Sequence, residues 1–139
     1  MASVIYNSFK KSINGTVNFA TDTIKVMLVD DTYEPDIDTH QFIDDVTGEV
    51  TGTGYTAGGA TLSNKSVTVD TTNDLAKYDA DNITWANSTI TAYGAVIYQD
   101  TGTPSTSGLI AFIDFLGVKS SSDGDFILQW HTGGIFTVS

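Results

Sequence analysis

Apolar and polar residues alternate along most of this chain, and a period near four shows only at two short places. In TVNFATDTIKVMLVD, Ile24, Val26 and Leu28 line one face at period two, which predicts two strands or one bent strand. SVTVD and LAKYDA alternate in the same way on either side of the turn residues Thr72-Asn73-Asp74, and so predict a hairpin. In NITWANSTITAYGAVIYQD the second half, Ile90 to Tyr98, predicts a long strand. LIAFIDF is apolar at nearly every position, the mark of a central strand covered on both faces. KSSSDGD then turns the chain. FILQW and IFTVS flank HTGG and read as a closing hairpin with Gly133-Gly134 in its loop.

The helical period belongs to the start and to one acidic segment. Ile5, Phe9 and Ile13 recur every four residues and predict a short amphipathic helix over 3–13. Lys10 and Lys11 suit its C-terminal end, and Asn14-Gly15 is a stop signal. In DTYEPDIDTHQFIDDVTGEV, Pro35 ends any strand and Asp38 with Gln41 resembles a capping box. Phe42, Ile43 and Val46 there give one or two helical turns an apolar face. TGTPSTSG is a turn-rich loop. Seven or more short strands at about ten-residue spacing predict a mainly β fold: an antiparallel β-sandwich or Greek-key barrel with one or two short helices. No internal repeat or linker divides 1–139, so a single domain is expected, with 1–14 as a candidate anchoring segment.

Composition narrows the class. Apolar residues are 40% of the 139 and charged ones 17%, below the usual quarter or so, so Thr, Ser, Asn and Gly supply the polar surface. Six lysines oppose 17 carboxylates, for a net charge of −11. That field repels polyanions, which argues against nucleic acid and against an anionic membrane surface as partners. There is no cysteine, hence no disulfide framework or thiolate chemistry. MASVIYNSFKKSING shows no secretory pattern, and no stretch approaches the roughly 18 apolar residues of a membrane span. The N-x-S/T triplets at Asn14, Asn64, Asn82 and Asn87 are expected by chance in such a composition.

Four places hold candidate chemistry. Gly54-Tyr55-Thr56-Ala57-Gly58-Gly59-Ala60-Thr61 has the outline of a phosphate loop, but Ala60 stands where lysine is needed and a β-prone segment follows instead of a helix. Its glycines, and Gly52 before them, read as backbone architecture. Asp30, Asp31, Glu34, Asp36, Asp38, Asp44 and Asp45 could offer oxygen ligands, yet their spacing does not fit a calcium loop. A solvated face is the simpler reading, and Asp79 with Asp81 is weaker still. His40 and His131 have no Ser, Cys or His at a known catalytic spacing, so no catalytic, cofactor or metal residue is assigned and no enzyme is expected. Tyr93, Tyr98, Phe112, Phe115, Phe126, Trp130 and Phe136 fall in strands and are mostly core. Trp85 with Tyr55 could form a sugar platform, against the plainer reading of packing at a strand edge.

Certain motifs carry a resemblance that covers most of the chain from about Ile24 onward. They are Tyr33-x-Pro35-Asp36 before Asp38-x-His40, and Gly52-x-Gly54-Tyr55-x-x-Gly58-Gly59. Ile83-Thr84-Trp85 and Gly124-Asp125-Phe126 before Trp130 complete the set. Together they resemble small proteins from the structural gene clusters of tailed bacteriophages. The resemblance implies a virion component, assembled in the host cytoplasm, and carries over no site residue. A cysteine-free, Thr- and Gly-rich β-domain of 139 residues with net charge −11 suits, among virion parts, a capsid cement or decoration protein bound outside the shell. Such a protein would act as a homo-oligomer, with a trimer favoured, against the major capsid protein or other virion proteins. The alternatives are a tail structural protein (tube, baseplate or fibre-associated), in which DDTYEPDIDTHQFIDD overlaps a neighbour, and a carbohydrate-binding module using Trp85 and Tyr55.

Overall fold

The computed structural model describes residues 3–12, 17–131 and 134–138. Its strands are β1 (Val4–Ile5), β2 (Ile24–Val29), β3 (Ala60–Thr61), β4 (Ser66–Asp70), β5 (Leu75–Asp79), β6 (Ile83–Ser88), β7 (Thr91–Gln99), β8 (Leu109–Ser120), β9 (Gly124–Leu128) and β10 (Phe136–Val138). One short helix, α1 (Asn7–Ser12), and two 3₁₀ turns, Ile43–Asp45 and Pro104–Thr106, complete the elements. The fold is mainly β, and every strand pairing is antiparallel. A five-stranded sheet runs β1-β8-β7-β2-β3, beside a three-stranded sheet β10-β5-β4 and the pair β6-β9. The arrangement is sandwich-like; no barrel closes among the described residues.

The large sheet is buried on both faces, which accounts for its apolar runs. Ile24, Val26 and Leu28 of β2, with Ala95 and Ile97 of β7, meet the main core, where Phe9, Phe19, Tyr78, Trp85 and Phe126 pack. The small sheets supply much of that layer. Met27 and Val29, with Val96, Tyr98, Leu109 and Phe112, face the other way into a second core closed by Tyr6, Tyr33 and Ile43. The alternation predicted for Ile24, Val26 and Leu28 is therefore correct but incomplete, because the intervening Met27 and Val29 are buried too. LIAFIDF enters as the buried start of β8, between β1 and β7.

Several elements fall where expected, and some do not. β4 and β5 form the predicted hairpin, with Asp70 Oδ1 accepting from the Thr72 and Asn73 amides in its turn. The expected helix over 3–13 is shorter. Ile5 lies in β1, because the β8 edge offers ladder partners at Ala111 and Phe112, and the helix begins at Asn7. Ile13, Asn14 and Gly15 lie outside the described residues. Tyr6 and Phe9 are fully buried, so residues 3–12 belong to the body of the domain. The C-terminal hairpin is a correction: β9 pairs with β6, whereas β10 pairs with β5. His131 and Gly134 form an isolated antiparallel bridge between β9 and β10, which lie in different sheets; Gly133 is outside the described residues.

Candidate functional site

The glycine segment is held by sterics and by one half-buried carboxylate, that of Glu49. Gly54 and Gly59 have φ of +80° and +88°, values L side chains rarely adopt. A Cβ at Gly59 would overlap the Val26 carbonyl of β2, and one at Gly54 would lie 2.9 Å from Ser88 Cα. The loop is thus pressed backbone to backbone against the sheets. Glu49 Oε2 accepts from the Tyr55 hydroxyl at 2.8 Å and from the Gly58 amide at 2.6 Å. The Leu28 amide donates to the Tyr55 oxygen at 3.1 Å, and Tyr98 donates to the Gly58 carbonyl at 2.6 Å. Burial, then the bond to Glu49, raises the Tyr55 pKa, so the phenol stays a donor at any ordinary pH. Tyr98 is likewise pushed up to about 12 by burial, then by the Asp100 and Glu49 carboxylates. The groups that would cradle a phosphate are engaged within the loop itself.

The acidic segment is a cover over the second core. Tyr33 and Ile43 point inward and are buried, while most of its carboxylates remain at the surface, bonded to nearby groups. Asp36 Oδ1 accepts from the Asp38 and Thr39 amides at 3.0 and 3.1 Å. Asp45 Oδ2 accepts from Gln41 and Phe42 at 2.9 and 3.1 Å, so the cap of the 3₁₀ turn is Asp45 and not the expected pairing of Asp38 with Gln41. Asp38 instead accepts from the Asn7 side chain at 2.6 Å, tying the cover to α1. Hydrogen bonds to Thr39 and Asp38 hold the Asp36 carboxyl below the usual range, and those to Gln41 and Phe42 do the same for Asp45. Among the described residues, no three His, Asp or Glu side chains gather as a metal-holding group.

His40 is drawn into this cover. Its Nδ1 accepts from the Asp36 amide at 3.2 Å and lies 3.0 Å from the Tyr33 hydroxyl, which in turn lies 2.6 Å from that of Tyr6. The ring stacks on Tyr33. His131 is an exposed residue at the bend before β10, remote in sequence from His40. Asp81 accepts from the Asn64 side chain at 2.5 Å, and Asp79 bonds the Ala80 amide. Trp85 is only 6% exposed and stacks on Tyr55 within the main core, against Phe126. The pair is a packing unit and leaves no open aromatic face.

What stands out at the surface was not singled out from the sequence. Leu116 is 88% exposed and Val118 51%, in a stretch of β8 where the register against β7 shifts between Asp114 and Lys119. Leu116 has φ of +58°, rare for a side chain of this size, and its amide donates to Asp114 Oδ1 at 2.9 Å. Beside this stretch a shallow cleft of about 330 Å³ runs between Phe115 and Lys119 on β8 and Asp125 to Gln129 on and after β9. The signal was the run Phe115-Leu116-Gly117-Val118, which continues an apolar strand past its buried part and is broken by glycine. No protein-family model, no curated protein and no solved structure matches the chain.

Proposed function

We propose that the chain is a bacteriophage virion structural protein, and specifically a capsid cement or decoration protein that binds the outside of the shell as a homo-oligomer. The motif resemblance suggests the virion, and one structural observation carries the contact role. Leu116 is held out to solvent in a backbone conformation that costs on the order of 1–3 kcal/mol, with Val118 two residues on. Leu116 and Val118 together present apolar side chains to solvent along β8, as a contact surface would. The net charge of −11 suits an outer face and disfavours contact with packaged DNA. Against the tail alternative, the 30–46 segment lies folded over the second core and does not project as an overlap arm. Against the glycan alternative, Trp85 is buried.

The test is addition of purified protein to shells assembled without it. It is expected to cosediment with them and to raise the temperature at which they break open. Leu116→Asp should lose attachment with an unchanged melting temperature of its own. Binding to isolated tails and not to shells would transfer the protein to the tail.

A further inference from the structure

The strand β4 stands at an open edge of the three-stranded sheet among the described residues. It pairs with β5 from Ser66 to Asp70 without a register shift, and among the described residues no strand lies along its other side. Val67 stands opposite Tyr78 and Val69 opposite Ala76, and both of those residues pack on the main core. The valines therefore belong to the inner face of their sheet. Yet the sheet overhangs the core here, leaving Val67 39% and Val69 76% exposed. Edge strands are commonly blunted by lysine, proline, a bulge or an inward charge. SVTVD has none of these within it; its one charge is the terminal Asp70. Lys65, just before it, is engaged by the Asp22 carbonyl.

We propose that this edge pairs antiparallel with the same edge of a second copy of the chain, fusing two three-stranded sheets into one across a two-fold axis. The strand's own pattern selects the occupant. With Thr68 on the axis, Val67 of each copy faces Val69 of the other, so all four valines meet on the inner face. Ser66 faces Asp70, and the two Asp70 carboxylates are then four residues apart along the sheet, about 14 Å. That exceeds the screening length of about 8 Å at physiological salt. Chains of net charge −11 repel one another over most of their surface, and an almost uncharged strand is where two copies can approach. A one-residue slip would set valine against threonine and turn the valines to opposite faces. The inference concerns the isolated protein and does not depend on a place in the virion.

The experiment is sedimentation velocity of the full chain over a hundred-fold range of concentration. The wild type is expected to self-associate into dimers or multiples of them. Val69→Lys and Val67→Glu should each weaken association by about 100-fold or more. An equimolar mixture of the two should restore it, because the introduced ammonium and carboxylate then face each other. Both positions are exposed, so at concentrations where the wild type is monomeric each variant should match its melting temperature, and Leu116→Asp should leave the mass unchanged. A wild type that stays monomeric overturns the proposal, as does a trimer or other assembly indifferent to both substitutions. A mixture that stays dissociated overturns it too.

Discussion

Residues 49–59 and residues 30–46 are both irregular, both lie against the large sheet, and are held in place by opposite means. The glycine segment is fixed at its backbone: Gly59 meets the Val26 carbonyl, and Glu49 serves Tyr55 and Gly58 from a half-buried position. The acidic segment is fixed by side chains: Tyr33 and Ile43 fill the second core, and carboxylates at the surface cap one turn after another. In the first, a single added methyl has no room. In the second, each cap is a separate small contribution. Irregular chain can thus be rigid through one unavoidable contact or through many modest ones, and the two respond differently to substitution.

The largest expected effect follows from the first. Gly59→Ala combines a disfavoured φ with overlap against the sheet, and should cost roughly 2–5 kcal/mol. At about 3 °C per kcal/mol, thermal denaturation would show a drop near 10 °C. Next is Tyr33→Phe, which removes the hydroxyl between Tyr6 and His40 and leaves the fully buried Tyr6 oxygen short of its partner. A loss of about 1–3 kcal/mol is expected by denaturant titration. Asp45→Ala should cost about 1 kcal/mol, in the range of a lost cap. A loss as large as that of Gly59→Ala would show that the caps act as a unit, and would break the comparison.

Acid sharpens the same contrast. Asp36 and Asp45 have folded-state pKa values below the ordinary 3.8. Their contribution is therefore complete above the unfolded value and is lost as pH falls through the folded one. Stability should decline below about pH 4, less steeply in Asp45→Ala. Deuterium exchange should show residues 30–46 opening before 49–59, whose Tyr55 stays protonated throughout. Simultaneous opening would mean the segments are not independent. The smallest effect is none: chelator should leave the melting temperature where it was, and a fall of several degrees would reveal a cation among the carboxylates of 30–46.

The sequence disclosed whatever depended on near neighbours. The β4–β5 hairpin was legible because strand, turn and strand are contiguous, and β7 and the start of β8 because a strand covered on both faces must be apolar throughout. The end of the chain was misread because FILQW and IFTVS look alike locally, while their partners, β6 and β5, are chosen by the assembled layers. Ile5 was misread for a related reason: its period matched a helix, and the competing ladder lay far along the chain. The glycine loop was understood as architecture from its missing lysine, though its contact with β2 was invisible. Trp85 kept two readings open in the sequence, because exposure is set by what packs above a residue and not by the residue. Leu116 went unnoticed, since an apolar residue next to a strand is read as part of it until the backbone is seen to turn it outward.

The pairing of β1 with β8 also has a temporal side. Val4 and Ile5 are joined to Phe112 and Ala111, and the Ser3 hydroxyl accepts from the Asp114 amide across 111 positions. On a ribosome adding roughly 5–20 residues per second, the first strand waits on the order of 5–20 s for the one that receives it. During that interval Tyr6 and Phe9 leave the tunnel without the β8 part of their packing, exposed to chaperones and to proteases. A nascent chain interrupted before Ala111 lacks the β8 edge on which Val4 and Ile5 pair, so this part of the sheet closes only after β8 has been made.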